Sequence, residues 1–297
     1  MFAEAVLSLF ENNVVLISSI SLLGLFFGSF LNVVIYRIPL RLQHEWRTEC
    51  KEFLEIESSS ADNQETAPPE NIFTSRSHCP RCGHLITALE NIPVLSYLLL
   101  RGKCSECSTR ISPRYPAIEI LTAILSGLVA WSFGLTPALP FLLILVWSLI
   151  ALSFIDFDHK LLPDTLLLPI LWLGLLVNSQ GLITDIQSSL YGAVAGYLSL
   201  WFFYQAFKLL TGKEGMGYGD FKLLALIGAW LGWQMLPLVI LLSSLVGAVT
   251  GILGILILGR NRQLPIPFGP YLSIAGLIAL FWGQEIIDGY LQFAGLQ

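Results

Sequence analysis

The sequence predicts an all-α polytopic membrane protein of about eight transmembrane helices, with a cysteine-rich cytosolic loop domain between the first and the second. Three observations carry this. Hydrophobic residues make up 55% of the 297 residues and charged residues only 12%, with a mean hydropathy of +0.70, a balance foreign to soluble domains of this length. Apolar runs long enough to cross a bilayer recur along the chain, and helices satisfy their own backbone polar groups in lipid. Lys and Arg also segregate. Ten of the 16 fall between residues 37 and 116, and threading eight spans from that loop places the other six on the same side. The opposite side receives Glu4, Glu11, Asp185 and Asp288 and no cation.

Taken in order, the spans are expected at 14–36, 117–134, 138–155, 165–177, 189–210, 221–233, 237–258 and 271–287. No Lys or Arg precedes Arg37, so the first lacks the basic start of a cleavable signal peptide and reads as a retained helix. The fourth and sixth are short, and Pro169 inside the fourth predicts a kink. Residues 234–237 read as the turn between the sixth and seventh. The cation bias makes the basic side cytosolic and puts both termini outside. This divides the chain into a first transmembrane helix (1–36), a cytosolic loop domain (37–116) and a transmembrane core (117–297).

Within the loop, 44–71 is polar and loosely patterned, and 58–69 has the composition of a flexible linker. The compact part is 79–107. Cys79-Pro-Arg-Cys82 and Cys104-Ser-Glu-Cys107 form two Cys-x-x-Cys knuckles separated by 21 residues, the pattern of a four-thiolate zinc site. A reducing cytosol argues against two structural disulfides. Four sulfurs leave no open position, so such a zinc is structural. A redox pair and metal-free thiols are the competing readings. Gly83 suits the turn after the first pair, while Ser108 holds the matching place in the second. His78 and His84 flank the knuckle without being needed, and Cys50 stands alone. The apolar stretch 92–100 packs either on the membrane surface or under the knuckles.

The stretch Gly215-Met-Gly217-Tyr-Gly219-Asp220 lies between two apolar segments and ends on a carboxylate at the mouth of a hydrophobic helix. Its glycines are expected to give positive φ and to admit a close neighbour. An ionisable residue there is a candidate functional residue, because charge near hydrocarbon is costly. A single Asp cannot do acid and base work alone, and the partner expected is Asp156, at the cytosolic end of its span and at matching depth. Two close carboxylates in a low-dielectric site share a proton, so that one activates water while the other protonates a leaving amide. Intramembrane acids also mark ion pathways, so a proton- or ion-coupled transporter remains a reading, as does a metal site of Asp156, Asp220 and His159. A non-catalytic scaffold carrying a zinc module is a third class. Asp158 reads as solvated, Asp164 as a helix N-cap after Pro163, and Glu119 as a first-turn acid favoured by the helix dipole.

These residues together resemble the type IV prepilin peptidases, bifunctional leader peptidases and N-methyltransferases. The resemblance covers nearly the whole chain. It includes residues 28–37 (Gly-Ser-Phe-Leu-Asn-Val-Val-Ile-Tyr-Arg), both Cys pairs, 90–93 (Glu-Asn-Ile-Pro), 101–104 (Arg-Gly-Lys-Cys), 111–116 (Ile-Ser-Pro-Arg-Tyr-Pro), 156–164 and 214–222. Ala88-Leu89 departs from it where many members have an aromatic residue, and 44–77 is the least similar part. The resemblance implies that Asp156 and Asp220 form the catalytic pair, supported by Gly217 and Gly219 of a Gly-x-Gly-Asp element also found in presenilin-like proteases. It implies cleavage of the short basic leader of type IV prepilins and pseudopilins, the subunits of type IV pili and type II secretion, after a glycine. The cytosolic face of the inner membrane would be the place. It implies methylation of the new N-terminus with S-adenosylmethionine, tied to the Cys domain and to Gly102. Lipid and prepilins are then the partners, and no nucleic acid is expected.

Overall fold

The computed structural model describes residues 12–54, 75–213, 215–258 and 266–295. The linker expected at 58–69, and Glu4, Glu11, Glu214, Arg260 and Arg262, lie outside the described residues. Nine α-helices are described: α1 Asn13–Phe53, α2 Leu95–Leu99, α3 Arg114–Phe133, α4 Leu139–His159, α5 Asp164–Ser179, α6 Ile186–Thr211, α7 Tyr218–Leu231, α8 Leu236–Leu258 and α9 Gly269–Phe293. Five stretches are long and apolar enough to cross a membrane: α1, α3, α4, Trp233–Gly254 and α9. α5 is apolar but shorter. The chain divides into two compact units, Met1–Trp131 and Ser132–Gln297.

In the first unit, α1 does not stop where its apolar run stops. The sequence places the end of the span at residue 36, whereas the helix continues through Pro39 to Phe53. Residues 41–53 are rich in good helix formers, and Arg41 Nε meets Glu45 Oε1 at 2.8 Å one turn on. Asn12 caps the start by accepting from the Val14 amide at 3.0 Å. Gly24 and Gly28, four residues apart, let α1 lie against α3: a Cβ at Gly28 would sit 2.7 Å from the Glu119 Cα, and one at Gly24 would strike Ser126. Asn32 Nδ2 donates to the Tyr115 carbonyl at 3.2 Å, and the buried Arg37 Nη1 donates to the Ser75 carbonyl at 2.9 Å. The 28–37 motif therefore joins α1 to the start of α3 and to the segment leading into the cysteine module.

In the second unit, α7 is apolar nearly all round, and every residue from Asp220 to Trp230 except Lys222 is buried. A helix hydrophobic all round belongs inside a bundle. That is why a helix of only 14 residues sits here: it is wrapped by neighbours. Against α6 the approach is backbone to backbone, Gly192 meeting Gly228 and Gly196 lying under the Leu224 carbonyl. Gly174 of α5 receives the Trp230 ring, whose Nε1 donates to the Ile170 carbonyl at 2.9 Å. Asn178 Nδ2 donates to the Ala229 and Trp230 carbonyls at 2.9 and 3.1 Å, closing the end of α7. Pro169 lies inside α5, which continues through it. The turn expected at 234–237 is Gly232, with φ of +86°, followed by a single 3-10 turn over Trp233–Met235.

Replacing Gly228 by Leu is expected to push α6 and α7 apart and to destabilise the second unit by about 1–3 kcal/mol, the usual range for overpacking. A fall in the thermal midpoint of the detergent-solubilised protein would register it.

Candidate functional site

Asp156 stands in the last turn of α4, four residues before Lys160, whose left-handed conformation (φ of +53°) ends the helix. Its side chain is buried, at 5% exposure, and Oδ2 accepts a hydrogen bond of 2.9 Å from the amide of Gly269. Gly269 is the first residue of α9, so the carboxylate meets the unsatisfied N–H groups and positive end of that helix. A Cβ at Gly269 would lie 2.7 Å from the same Oδ2, so only glycine permits this bond.

Asp220 is the third residue of α7 and is likewise buried, at 7% exposure. Its amide donates to the Gly217 carbonyl at 3.3 Å. Asp156 is close enough for its charge to act directly on Asp220. The expectation of positive φ in the glycine run is not met: Gly217 is extended, with φ of −82°, and neither Gly215 nor Gly219 is left-handed. The glycines serve close approach. A Cβ at Gly219 would sit 2.8 Å from the Leu162 Cβ, and one at Gly215 would sit 2.9 Å from the Phe207 ring. Gly217 has more room, its nearest neighbour being Asp220 Oδ2 at 3.9 Å.

Sequence reading missed the device that holds the two acidic segments together. Lys222 Nζ lies 2.8 and 2.7 Å from the two carboxylate oxygens of Asp164. Asp164 is therefore not the N-cap it was expected to be. Pro163 holds that position, and the Asp164 side chain joins the start of α5 to the first turns of α7. The carboxylate is half exposed and the ammonium less so, so the pair fixes register more than it adds stability. Glu119 also departs from expectation. It lies in the second turn of α3, buried, where it accepts from the Val94 amide at 2.7 Å and pairs with Ser29. Asp158 and His159 are exposed, and among the described residues Asp156, Asp220 and His159 do not form a metal-holding group.

The four cysteines do form one. All four Sγ atoms lie within 4.8 Å of one another, with Cys79–Cys107 at 3.7 Å and Cys82–Cys104 at 3.9 Å. The edge of a tetrahedron with metal–sulfur bonds of about 2.3 Å is about 3.8 Å. The two knuckles repeat each other. The Gly83 amide donates to Cys79 and that of Ser108 to Cys104, at 2.9 and 3.0 Å. Both turn residues have positive φ, and each pair is flanked by one bridge, His78–Leu85 and Lys103–Arg110. Four sulfurs this close resist ionising together. Cys107 is held down at about 6, chiefly by the Thr109 hydroxyl. Cys82 is pushed up to about 12: a backbone hydrogen bond from His84 opposes the rise, but desolvation and the neighbouring sulfurs outweigh it. A bound divalent cation would relieve that conflict.

Glu90 staples the two knuckles. Its carboxylate accepts from the Ser105 hydroxyl at 2.5 Å, from the Thr87 amide and hydroxyl at 2.8 Å each, and faces His84 Nε2 at 3.2 Å. These bonds, Ser105 first, hold its pKa at about 2 against an ordinary 4.5. The stabilisation it gives is thus complete above its ordinary value and lost only as pH falls through about 2. Glu90→Gln is expected to weaken metal binding by about 10- to 100-fold, as loss of an outer-shell partner does. Because Glu90 stays ionised, the deficit should be constant between about pH 5 and pH 7.5. Competition with a chromogenic chelator measures both.

Gly102 is buried, with φ of +67°, and a Cβ there would lie 2.9 Å from the Tyr97 Cζ and hydroxyl. Its amide donates to the Tyr97 carbonyl at 2.8 Å. Beside it opens a cavity of about 570 Å³ lined by Tyr97, Arg101, Lys103, Arg110, Ile111 and Ser112 among others. Tyr97 carried no signal in the sequence beyond lying in an apolar stretch.

Comparison with known proteins identifies the family. Residues 22–133 match the bacterial peptidase A24 N-terminal domain, and residues 143–252 match the type IV leader peptidase family. A prepilin leader peptidase/N-methyltransferase of Stutzerimonas stutzeri is 55% identical over 274 residues, covering 92% of this chain and 93% of that protein. The Pseudomonas aeruginosa protein of the same description is 55% identical over 276 residues, 93% of each chain, and the Legionella pneumophila one is 45% identical over 274 residues, 92% of this chain and 94% of that protein. No solved structure matches. With two family models in tandem and half of the residues shared from end to end, the chain belongs to the prepilin leader peptidase/N-methyltransferase family.

Proposed function

We propose that the chain is a membrane aspartic endopeptidase that removes the basic leader of type IV prepilins and pseudopilins after a glycine, then methylates the new N-terminus with S-adenosylmethionine. The observation that carries the first half is the buried pair of Asp156 and Asp220, within electrostatic reach of each other at the ends of α4 and α7. One carboxylate, ionised, takes a proton from water as the oxygen attacks the carbonyl carbon of the glycine. The other, protonated, gives its proton to the amide nitrogen as the C–N bond breaks. Gly269 holds the first acid in place, and Gly219 admits Leu162 so that the second stands near it. Placement of both acids at helix ends, in place of mid-bilayer, speaks against the transporter reading.

In this reading eight helices cross the inner membrane, both termini lie outside, and residues 117–297 form the peptidase core with its site toward the cytosol. The basic leader then waits on the side that holds the chain's own cations. The four cysteines hold a structural zinc, which cross-links the two knuckles and has no open position. For methyl transfer, S-adenosylmethionine supplies an electrophilic methyl group. The cavity beside Gly102 has the size of a small-molecule site, cations for a carboxylate, and the Tyr97 ring for a sulfonium or a base.

Asp156→Asn and Asp220→Asn are each expected to lower cleavage of a prepilin by on the order of 10²–10⁴-fold while the protein still inserts. Mass measurement of the product N-terminus checks this, and full activity in either variant would refute the pair. Supplied with a pre-cleaved pilin, the Asp220→Asn enzyme should still methylate. Gly102→Val should do the reverse, keeping cleavage but losing methylation by about 100-fold, since a displacement of about 1 Å costs that much. Purified protein should carry about one zinc per chain, and Cys104→Ser should lose it.

A further inference from the structure

The helix α2, Leu95–Leu99, is apolar and largely uncovered among the described residues. None of its five residues is buried, and Leu95, Leu98 and Leu99 are 49%, 65% and 74% exposed. A five-residue helix is not stable by itself, so tertiary contacts fix it where it stands. The sequence left two places for this stretch, under the knuckles or on the membrane, and the exposed leucines remove the first.

Where α2 stands follows from its ends. Val94, with φ of +60°, immediately precedes the helix, and its amide is bound by the buried Glu119 Oε2 at 2.7 Å. Glu119 lies five residues into α3, about 7.5 Å along the axis of a helix long and apolar enough to cross the bilayer. The start of α2 is therefore tied to the second turn of a helix long and apolar enough to cross the bilayer, near the end where headgroups would give way to acyl chains. Over the same turns α3 exposes Tyr115, Ile120 and Leu121, at 45%, 43% and 39%. Both α2 and the first turns of α3 thus leave large apolar side chains uncovered. The residue after the next is Arg101, exposed and also left-handed, followed by the exposed Lys103. Leucines followed at once by cations form the pattern of an interfacial anchor, its charges at the level of lipid phosphate.

We propose that α2 is a membrane-surface anchor: Leu95, Leu98 and Leu99 enter the acyl region of the cytosolic leaflet, and Arg101 meets the phosphates of anionic lipid. The leaflet named rests on the orientation proposed above. The anchoring itself requires neither peptidase nor methyltransferase activity. One consequence is that the module is tied to the bilayer at α2 as well as through α1 and α3. Gly102, whose amide is bonded to the Tyr97 carbonyl of α2, is held at the membrane surface with it.

The test uses the full-length protein with zinc, in a Cys50→Ser background, reconstituted in nanodiscs of phosphatidylcholine and phosphatidylglycerol. A spin label is placed at Leu99→Cys, and in a control at Arg47→Cys on the polar end of α1. The label at 99 should collide with oxygen several-fold more than with an aqueous nickel chelate, and the label at 47 should do the opposite. Replacing phosphatidylglycerol by phosphatidylcholine, or Arg101 by Gln, should shift the label at 99 toward the aqueous reagent. Equal access of the chelate at 99 and 47 would overturn the anchor, and shielding from both reagents would assign the face to a protein surface instead. No response to lipid charge or to Arg101→Gln would overturn the phosphate contact. Retention of zinc in each variant shows that the module is folded. Because the readout needs no substrate, a negative result is separable from failure of the proposed enzyme activity.

Discussion

Removing two carboxylates from water inside an apolar bundle is the constraint on which the second unit depends. Each loses its hydration, and each would be expelled or displaced unless backbone groups replaced the lost water. The molecule answers with helix ends. Asp156 takes the amide at the start of α9, and Asp220 is itself in the first turn of α7, where backbone N–H groups are unsatisfied. Two helix starts therefore converge on two acids at one end of the unit. Chains that begin helices with Gly-x-Gly-Asp and with Phe-Gly-Pro have glycine at the closest contacts, because a side chain there would occupy the space of the carboxylate or of Leu162.

Much of this was legible in the sequence, and the part that was not has a physical reason. Each apolar run expected as a span falls on a described helix, since lipid selects continuous apolar helices, although only five stretches are long and apolar enough to cross a membrane. The cysteine cluster follows from local spacing, since a Cys-x-x-Cys turn brings its own two sulfurs together. Asp220 was visible because a charge after a glycine run at the edge of an apolar helix is out of place. What stayed hidden was long-range. Gly269 lies 113 residues from Asp156, and Lys222 lies 58 from Asp164. Nothing local distinguishes Lys222 from any other interfacial lysine, or Gly269-Pro270 from an ordinary helix start. The positive-φ expectation at residues 215–219 failed for a related reason. Glycine is selected both for backbone freedom and for lack of bulk, and the sequence does not say which. Here the decisive neighbours, Leu162 and Phe207, arrive from elsewhere in the chain.

The end of α1 is a third kind of failure. Hydropathy reports where lipid ends, and helix propensity reports where the helix ends. The two coincide in most of this chain, but residues 37–53 are polar and helix-forming at once. The polar continuation carries Arg37, whose guanidinium binds the carbonyls of Ser75 and Arg76 where the chain enters the cysteine module. The 28–37 motif, which reads as one more apolar run, is better understood as a joint. Gly28 admits α3, Asn32 binds the Tyr115 carbonyl, and Arg37 binds the strand of chain leading to Cys79.

That joint has a bearing on what a metal would add to a cysteine module already held by hydrogen bonds. The segment 75–113 contains two isolated bridges, a five-residue helix and four turn residues in the left-handed region (Gly83, Arg101, Gly102 and Ser108), with Cys79 its one buried cysteine. Two of these, Arg101 and Ser108, carry side chains in a conformation that costs roughly 1–2 kcal/mol each without glycine. So small a segment has too little apolar core to offset that strain by burial. Glu90 joins the two knuckles through four contacts to three residues, yet most of these are exposed to water and individually weak. A metal held by the four sulfurs would supply what burial and hydrogen bonds here do not. It is the interaction that would let strained residues such as Arg101 hold a fixed place beside Gly102 and Tyr97.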